Sequence, residues 1–231
     1  SMPDMLSSQI PIIKEIVKAY NIAYFEREGF EADDIIASLT NKLKRLGLYI
    51  TIVSSDKDIL QLVDERTLVF SPYKDKGKFY SRNEVFERYG VEPLRIVDIL
   101  ALMGDDVDNI PGVPGIGEKT AIELIKDFGS LDNLIKNIEE IKSASLKNAI
   151  KDNMENITLA KELAKLDTNV PLDFELEDLQ IKSPDYNELY KIFKRLEFKR
   201  LLQDLPVSQQ MDSNISSYVK LDNIKNFIKS I

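Results

Sequence analysis

Apolar residues recur at helical spacing at the start of the chain. Ile10, Ile13, Ile16, Val17 and Tyr20 predict one helix over residues 1–20. Residues 22–25 form a short apolar run that predicts a strand, and a helix follows over 35–46, closed by Gly47. The β-branched run at 48–53 has the pattern of a buried strand. A short helix at 59–63 comes next, then a strand pair at 67–71 and 78–81 around the polar turn 74–77. Helices are predicted at 83–89, ended by Gly90, and at 94–103. From residue 110 to about 202 the pattern is helical, except for an extended piece near 170–183. Within it Gly129 stops one helix and Ser130 caps the next. Further helices fall at 144–153, 157–166 and 186–196. Residues 206–217, rich in Ser, Gln and Asn, have the composition of a linker, and 218–231 regains apolar periodicity as the edge of a following domain. The expected order is an α/β part over 1–103, an all-helical part over 104–205, and a linker with a domain start over 206–231.

Composition narrows the chemistry. The chain has 231 residues, 43% of them apolar, and neither Cys nor His. Disulfides, zinc sites and thiol or imidazole catalysis are thereby excluded. No run is long and apolar enough to span a membrane, so a membrane partner is not expected. What remains for chemistry is carboxylates, Lys, Arg, Tyr, Ser and Thr, and a hard ion such as Mg²⁺ or Mn²⁺ is the metal these can hold. The net charge of −8 speaks against nucleic acid. It becomes −1 once seven acids nominated as metal ligands are set aside.

Those acids fall in three clusters. Glu31, Asp33 and Asp34 open the helix at 35–46, where acids also suit capping and the helix dipole. Asp56 and Asp58 follow a buried strand, the place where ligands bind in open α/β sheets, although turn chemistry fits them too. Asp105, Asp106 and Asp108 follow the helix at 94–103, and a solvated acidic loop is the plain alternative. The spacing of the third cluster is not that of a helix-loop-helix calcium site. Taken together, three acidic clusters at the ends of apolar elements would repel one another without cations between them. Acids at successive element ends are also how a two-metal phosphodiesterase site is built.

Directly after the third cluster comes Gly112-x-x-Gly115-x-Gly117, then Glu118-Lys119-Thr120 opening a helix. The spacing matches neither the dinucleotide fingerprint nor the nucleotide P-loop. A glycine hairpin between helices remains, with Gly117 turning the N–H groups of Glu118 to Thr120 toward an anion. A plain helix–helix corner is the alternative. Such a hairpin holds phosphates without reading bases, so it predicts sequence-independent binding of duplex DNA.

These motifs, in this order, resemble the 5′-nuclease domain of bacterial DNA polymerase I. The residues that carry the resemblance are Gly29-Phe-Glu31-Ala-Asp33-Asp34, Ser55-Asp56-Lys-Asp58, Gly104-Asp105-Asp-Val-Asp108-Asn-Ile-Pro-Gly112 and Gly115-Ile-Gly117-Glu-Lys-Thr-Ala121, with Glu197-Phe-Lys-Arg200 near the end. The resemblance spans residues 1–205. It implies a 5′-nuclease-like (PIN-like) α/β fold: an incomplete, mostly parallel sheet with helices on both sides, then a helical lobe bearing a helix-three-turn-helix motif. It implies divalent metals, Mg²⁺ or Mn²⁺ and two ions, on Glu31, Asp33, Asp34, Asp56, Asp58, Asp105 and Asp108. Asp33, Asp34, Asp56 and Asp58 would form the inner catalytic set, with Asp105 and Asp108 at its outer edge. It implies a DNA grip through Gly112, Gly115, Ile116, Gly117, Lys119 and Thr120, often with K⁺ at the hairpin.

The partners implied are duplex DNA with a 5′ flap or nick, RNA primer–DNA junctions, and polymerase domains in the parent chain. The setting implied is the bacterial cytoplasm, at the nucleoid. The family pattern begins with a strand bearing an aspartate, a second aspartate and a basic helix, and this sequence starts after them. The expectation is therefore that the chain alone cuts poorly, and the rival reading is a duplex-binding module that does not cut. A small RNA-cleaving toxin of related acidic α/β type is a third reading, and the long helical lobe and glycine hairpin speak against it.

Overall fold

In a computed structural model, which describes residues 4–72 and 77–206, the chain divides into two units. One comprises Glu26–Leu172 and the other Ser1–Phe25 with Asp173–Ile231. Most of the expected turn at 74–77, and the expected linker and domain start beyond Pro206, lie outside the described residues.

The Glu26–Leu172 unit opens with helix α3 (Ala32–Arg45), which follows α1 (Asp4–Ser7) and α2 (Ile10–Ala19) of the other unit. Strands β1 (Ile50–Val53), β2 (Thr67–Ser71) and β3 (Lys78–Tyr80) form one sheet in the order β1-β2-β3. β1 and β2 are parallel, with Ile50 opposite Thr67 and Val53 opposite Phe70. β2 and β3 are antiparallel, with Val69 opposite Tyr80. Burial alternates along the strands, with Ile52, Thr67 and Val69 turned inward, as a half-covered sheet requires.

The expected helix at 59–63 is instead a 3₁₀ helix, Asp58–Leu62. Five residues are too few for a stable α nucleus, and the Asp56 carboxylate fixes the first N–H by accepting from Asp58 N at 2.9 Å. After α4 (Arg82–Tyr89), which carries a full capping box from Ser81 and Glu84, the predicted helix 94–103 divides. Pro93–Arg95 is a 3₁₀ turn and α5 (Ile96–Met103) is the α-helix proper.

The helical part continues with α6 (Glu118–Phe128), α7 (Leu131–Lys136), α8 (Ala144–Asp152) and α9 (Met154–Ala164). Gly129 ends α6 in the left-handed region and Ser130 caps α7, both as the sequence predicts. A single buried core runs from Ile52 through α5 to Ala164, so it is continuous past Met103. Within that core Asp98 of α5 is 1% exposed, and its carboxylate meets Arg95 Nη1 at 3.3 Å and Lys161 Nζ at 3.2 Å and accepts from Leu131 N at 3.3 Å. A buried carboxylate is tolerable only with such partners, and these tie α5 to α7 and α9.

In the other unit α2 packs on α10 (Tyr186–Arg195) and α11 (Lys199–Asp204) through Ala19, Leu189, Ile192, Phe193 and Leu205. Two expectations fail here. The first 20 residues are not one helix: α1 and α2 are separate, and Pro11 is the reason. It has no N–H for the Ser7 carbonyl, and its ring opposes that carbonyl, so the helix restarts with Pro at its first turn. Residues 22–25 form no strand. Asn21 leaves α2 at φ 54°, Ile22 N bonds back to Val17 O, and Phe25 packs edge-on against Phe174. The run is apolar, but it has no neighbouring strand to pair with among the described residues.

Candidate metal and nucleic-acid site

The loop after α5 is shaped by backbone contacts. Gly104 turns at φ 72°, and Asp105 and Ile110 then exchange both backbone hydrogen bonds, at 3.0 and 2.8 Å. Residues 106–109 form the loop between them, with Asn109 at φ 56°. Asp105 Oδ1 accepts from Val107 N at 2.9 Å, so Asp105 points inward while Asp108 lies exposed on the rim. This hairpin carries the third acidic cluster to the 3₁₀ helix, where Asp58 is buried. One carboxylate oxygen each from Asp58, Asp105 and Asp108 lies within 4.8 Å of the other two.

The electrostatics of this trio fit a cation. Asp58 is 7% exposed, and its Oδ1 has no hydrogen-bond partner, a costly state for a charged oxygen. Burial, then the charges of Asp56, Asp105 and Asp108, push its carboxyl up to about 7, with Lys57 opposing. Asp108 is pushed up by burial and by Asp105 and Asp56. Asp105 goes the other way: burial raises it, but Lys57 Nζ at 2.7 Å and the N–H of Val107 outweigh burial and hold it below the usual carboxylate range.

The first cluster reaches the same field. Asp33 is pushed up by burial and then by Asp56, Asp108, Glu31 and Asp34. Glu31 is the residue before α3, yet its side chain makes no capping bond. Asp34 Oδ1 instead accepts from Asp167 N at 2.8 Å, holding the chain after α9. Simple capping therefore explains neither. The tightest grouping, Asp58 with Asp105 and Asp108, draws members from both the inner and the outer sets that the resemblance implied.

A cleft of about 580 Å³ lies over Asp56, Asp105 and Asp108. Its lining also includes cations that the sequence reading passed over: Lys57, Lys78 and Arg88. Arg88 Nη1 donates to Tyr80 Oη at 3.0 Å, and Lys78 Nζ lies 4.8 Å from the centre of the Tyr80 ring. A signal existed for Lys78, because Lys78 and Tyr80 are two apart on a strand and so share a face. Arg88 reaches the cleft only through the packing of α4 on β3.

The glycine hairpin separates into two roles. Gly112 lies against the end of α5: a Cβ there would stand 2.3 Å from Met103 O. Gly115 is left-handed at φ 84°, and nothing lies within 4 Å of a Cβ on Gly115 or Gly117. Gly117 precedes α6 in extended conformation and gives no side-chain cap, so the first-turn N–H groups of α6, at Glu118, Lys119 and Thr120, are left to an external acceptor. Ile116 does not belong to this surface. It is 4% exposed, its side chain joins the core, and its N–H is already bonded to Val113 O at 3.0 Å.

Residues 1–90 match the family described as 5′-3′ exonuclease, N-terminal resolvase-like domain, and residues 91–187 match 5′-3′ exonuclease, C-terminal SAM fold. The chain belongs to the 5′-3′ exonuclease family. It is 44% identical over 203 residues to a 5′-3′ exonuclease of Aquifex aeolicus, covering 88% of this chain and 68% of that one. It is 42% identical over 212 residues to DNA polymerase I of Caldicellulosiruptor bescii, covering 90% of this chain and 25% of that one. In structure it is similar to a bacteriophage T5 flap endonuclease described as a pseudo-enzyme-product complex with DNA and metal ions, at TM-score 0.56 and 26% identity. That match covers 62% of this chain and 53% of the T5 chain. No helix among the described residues is long and apolar enough to cross a membrane.

Proposed function

We propose that this chain is the metal-dependent nuclease region of a DNA polymerase I-type protein, hydrolysing phosphodiesters at 5′ ends, nicks and flaps of duplex DNA and at RNA primer–DNA junctions. In this reading it works in the bacterial cytoplasm, at the nucleoid, beside polymerase domains of the parent chain. An α/β nuclease part over 1–103 supplies most of the acids, and the helical part over 104–205 adds Asp105 and Asp108 and holds the duplex. The observation that carries the reading is the buried Asp58 carboxylate, whose Oδ1 has no hydrogen-bond partner and which places one oxygen within 4.8 Å of carboxylate oxygens of Asp105 and Asp108. Three acids this close are tolerable only with protons or a cation among them.

Asp58, Asp105 and Asp108 would hold one ion, and Asp33, Asp34, Asp56 and Glu31 a second. Mg²⁺ or Mn²⁺ suits such an all-oxygen set, and when bound it supplies Lewis acidity to the phosphodiester and to water. The protein's own groups do the rest. Lys78 and Arg88 offset phosphate charge on the facing wall of the cleft. The first turn of α6, at Gly117, Lys119 and Thr120, takes a phosphate of the duplex without reading a base, with K⁺ as an added counterion in the hairpin. Gly115 shapes that turn, and Gly112 holds it against α5.

The test is a 5′-flap substrate labelled on the flap, incubated with the chain in Mg²⁺, in Mn²⁺ and in EDTA. Cutting at the junction with either ion, at the low rate expected of the chain alone, and none in EDTA is the expected result. Duplex binding without cutting in any metal would replace the nuclease by the binding-module reading.

The α6 contact has its own check. Gly117→Ala meets open space, so stability should fall by less than about 1 kcal/mol. The added methyl stands beside the first-turn N–H groups, so affinity for duplexes of unrelated sequence should drop about fivefold to tenfold, and equally for each. Fluorescence anisotropy on two unrelated duplexes reads this out. Unchanged affinity would remove α6 from the DNA surface.

A further inference from the structure

The carboxylate cleft carries a cation of its own. Lys57 Nζ lies 2.7 Å from Asp105 Oδ2, and the side chain, 37% exposed, lines the open cleft. Asp105 Oδ1 is already taken by Val107 N. Both oxygens of Asp105 are therefore engaged, whereas Asp58, one residue from Lys57, keeps Oδ1 free of any hydrogen bond. An ion entering between Asp58, Asp105 and Asp108 finds one ready ligand in Asp58 and one guarded ligand in Asp105. To use Asp105 Oδ2 it must displace the ammonium.

We propose that Lys57 competes with the divalent ion for Asp105, and that loading of the ion turns its ammonium into the cleft, where it takes a non-bridging oxygen of the DNA phosphodiester. The inference rests on the metal-dependent nuclease reading. A lysine suits the exchange because its point charge sits on a flexible stem with three rotatable donors. It can trade a carboxylate for a phosphate without backbone movement. Two consequences follow. Without DNA, the displaced ammonium is left with water and the more distant charge of Glu118, and metal affinity is held down. With DNA, the phosphate offers a second anion, so substrate and metal strengthen each other's binding by the same factor. Lys57 is thus a positioning residue that favours loading on substrate over loading in its absence.

The experiment is Mn²⁺ binding to the full chain without DNA, read as free-ion signal by electron paramagnetic resonance. Lys57→Met removes the competitor and should tighten binding by about tenfold, the scale of one charge lost beside the ion. Lys78→Met removes the same charge from the same cleft without touching Asp105, and should change affinity by less than about twofold. Lys57→Arg keeps the charge in a fork that grips a carboxylate with two bonds, and should weaken Mn²⁺ binding by about threefold. This opposite sign makes the idea testable in a variant that retains the ion pair, should the Met variant fold poorly.

A second readout repeats the parent and Lys57→Met titrations with a duplex bearing a non-hydrolysable flap junction. The parent should gain more Mn²⁺ affinity from DNA than Lys57→Met does. Equal Mn²⁺ affinity in the parent and both Lys57 variants, with binding intact, overturns the competition alone. Equal tightening in Lys57→Met and Lys78→Met overturns it in favour of a general charge effect. Absence of Mn²⁺ binding from all four proteins overturns the metal reading itself and this inference with it.

Discussion

Asp58→Asn is expected to abolish most metal-dependent cleavage and, in the absence of metal, to make the protein more stable at neutral pH. Asp58 ionises at about 7 in the folded chain, against an ordinary value of 3.8. Between those values the folded state keeps a proton that the unfolded chain has released. Folded-state stability therefore falls as pH rises through this window: the penalty is absent below the ordinary value and complete above about pH 7. The full shift would correspond to about 4 kcal/mol, and water in the adjoining cleft reduces this to about 2 kcal/mol.

Urea unfolding in EDTA at pH 5 and pH 8 isolates the effect. The parent should lose about 1 kcal/mol more than Asp58→Asn between the two, the part of the penalty that builds above pH 5, because asparagine carries no charge to bury. Asp33, pushed up without a contribution from Asp58, titrates in both proteins and cancels in the difference, whereas Asp108 interacts with Asp58 and cancels only in part. Added Mn²⁺ should restore the parent's stability and do much less for the variant. Cleavage should fall by about a hundredfold or more, the scale of losing one positioned electrostatic group. Identical pH profiles in the two proteins would mean that Asp58 is not a charge held at a cost for the metal.

Gly112→Ala is expected to unfold the loop from the helix end that supports it. Its new Cβ would stand 2.3 Å from Met103 O, 2.5 Å from Met103 C and 2.8 Å from Gly104 N, all backbone atoms. No rotamer relieves a clash with backbone, so the turn must move away from α5. A Cβ on Gly104 would meet the same contact from the other side, 2.5 Å from Gly112 N, and Gly104 itself turns at φ 72°. The expected loss is about 3 kcal/mol in chemical denaturation, the upper range for overpacking. Because the same contact seats Asp105, Mn²⁺ affinity should weaken as well. A variant within about 0.5 kcal/mol of the parent would show that the turn has room to shift, and that Gly112 has another role.

Comparing Gly112 with Gly117 shows where sequence reading stops. Both belong to one motif, and the motif alone assigns both to phosphate. In the folded chain Gly112 is a packing contact and Gly117 opens a helix toward solvent. Ile116, between them in the motif, is core. A glycine records that a side chain is absent, and only its surroundings say what the absence makes room for.

The amino-acid sequence by itself determined the chemistry available. Without Cys or His, and with acids clustered at element ends, an oxygen-bound hard ion was the one metal choice left. Most of the helices, the strand pair at 67–71 and 78–80 and the cap at Ser130 were legible as well, because hydrophobic period and capping are properties of single elements read over a few residues. The family was legible because its motifs preserve their order along the chain. Tertiary structure alone decided which acids meet. Asp58 converges with Asp105 and Asp108 only because the 3₁₀ helix packs against α5 and Gly104 closes on Gly112. Asp34 turned out to hold a backbone N–H far along the chain, and Lys57 turned out to sit on Asp105. The run at 22–25 had a strand's composition and no strand beside it, since a strand exists only by pairing. Each of these depends on contacts between segments distant in sequence, which hydrophobic pattern does not encode.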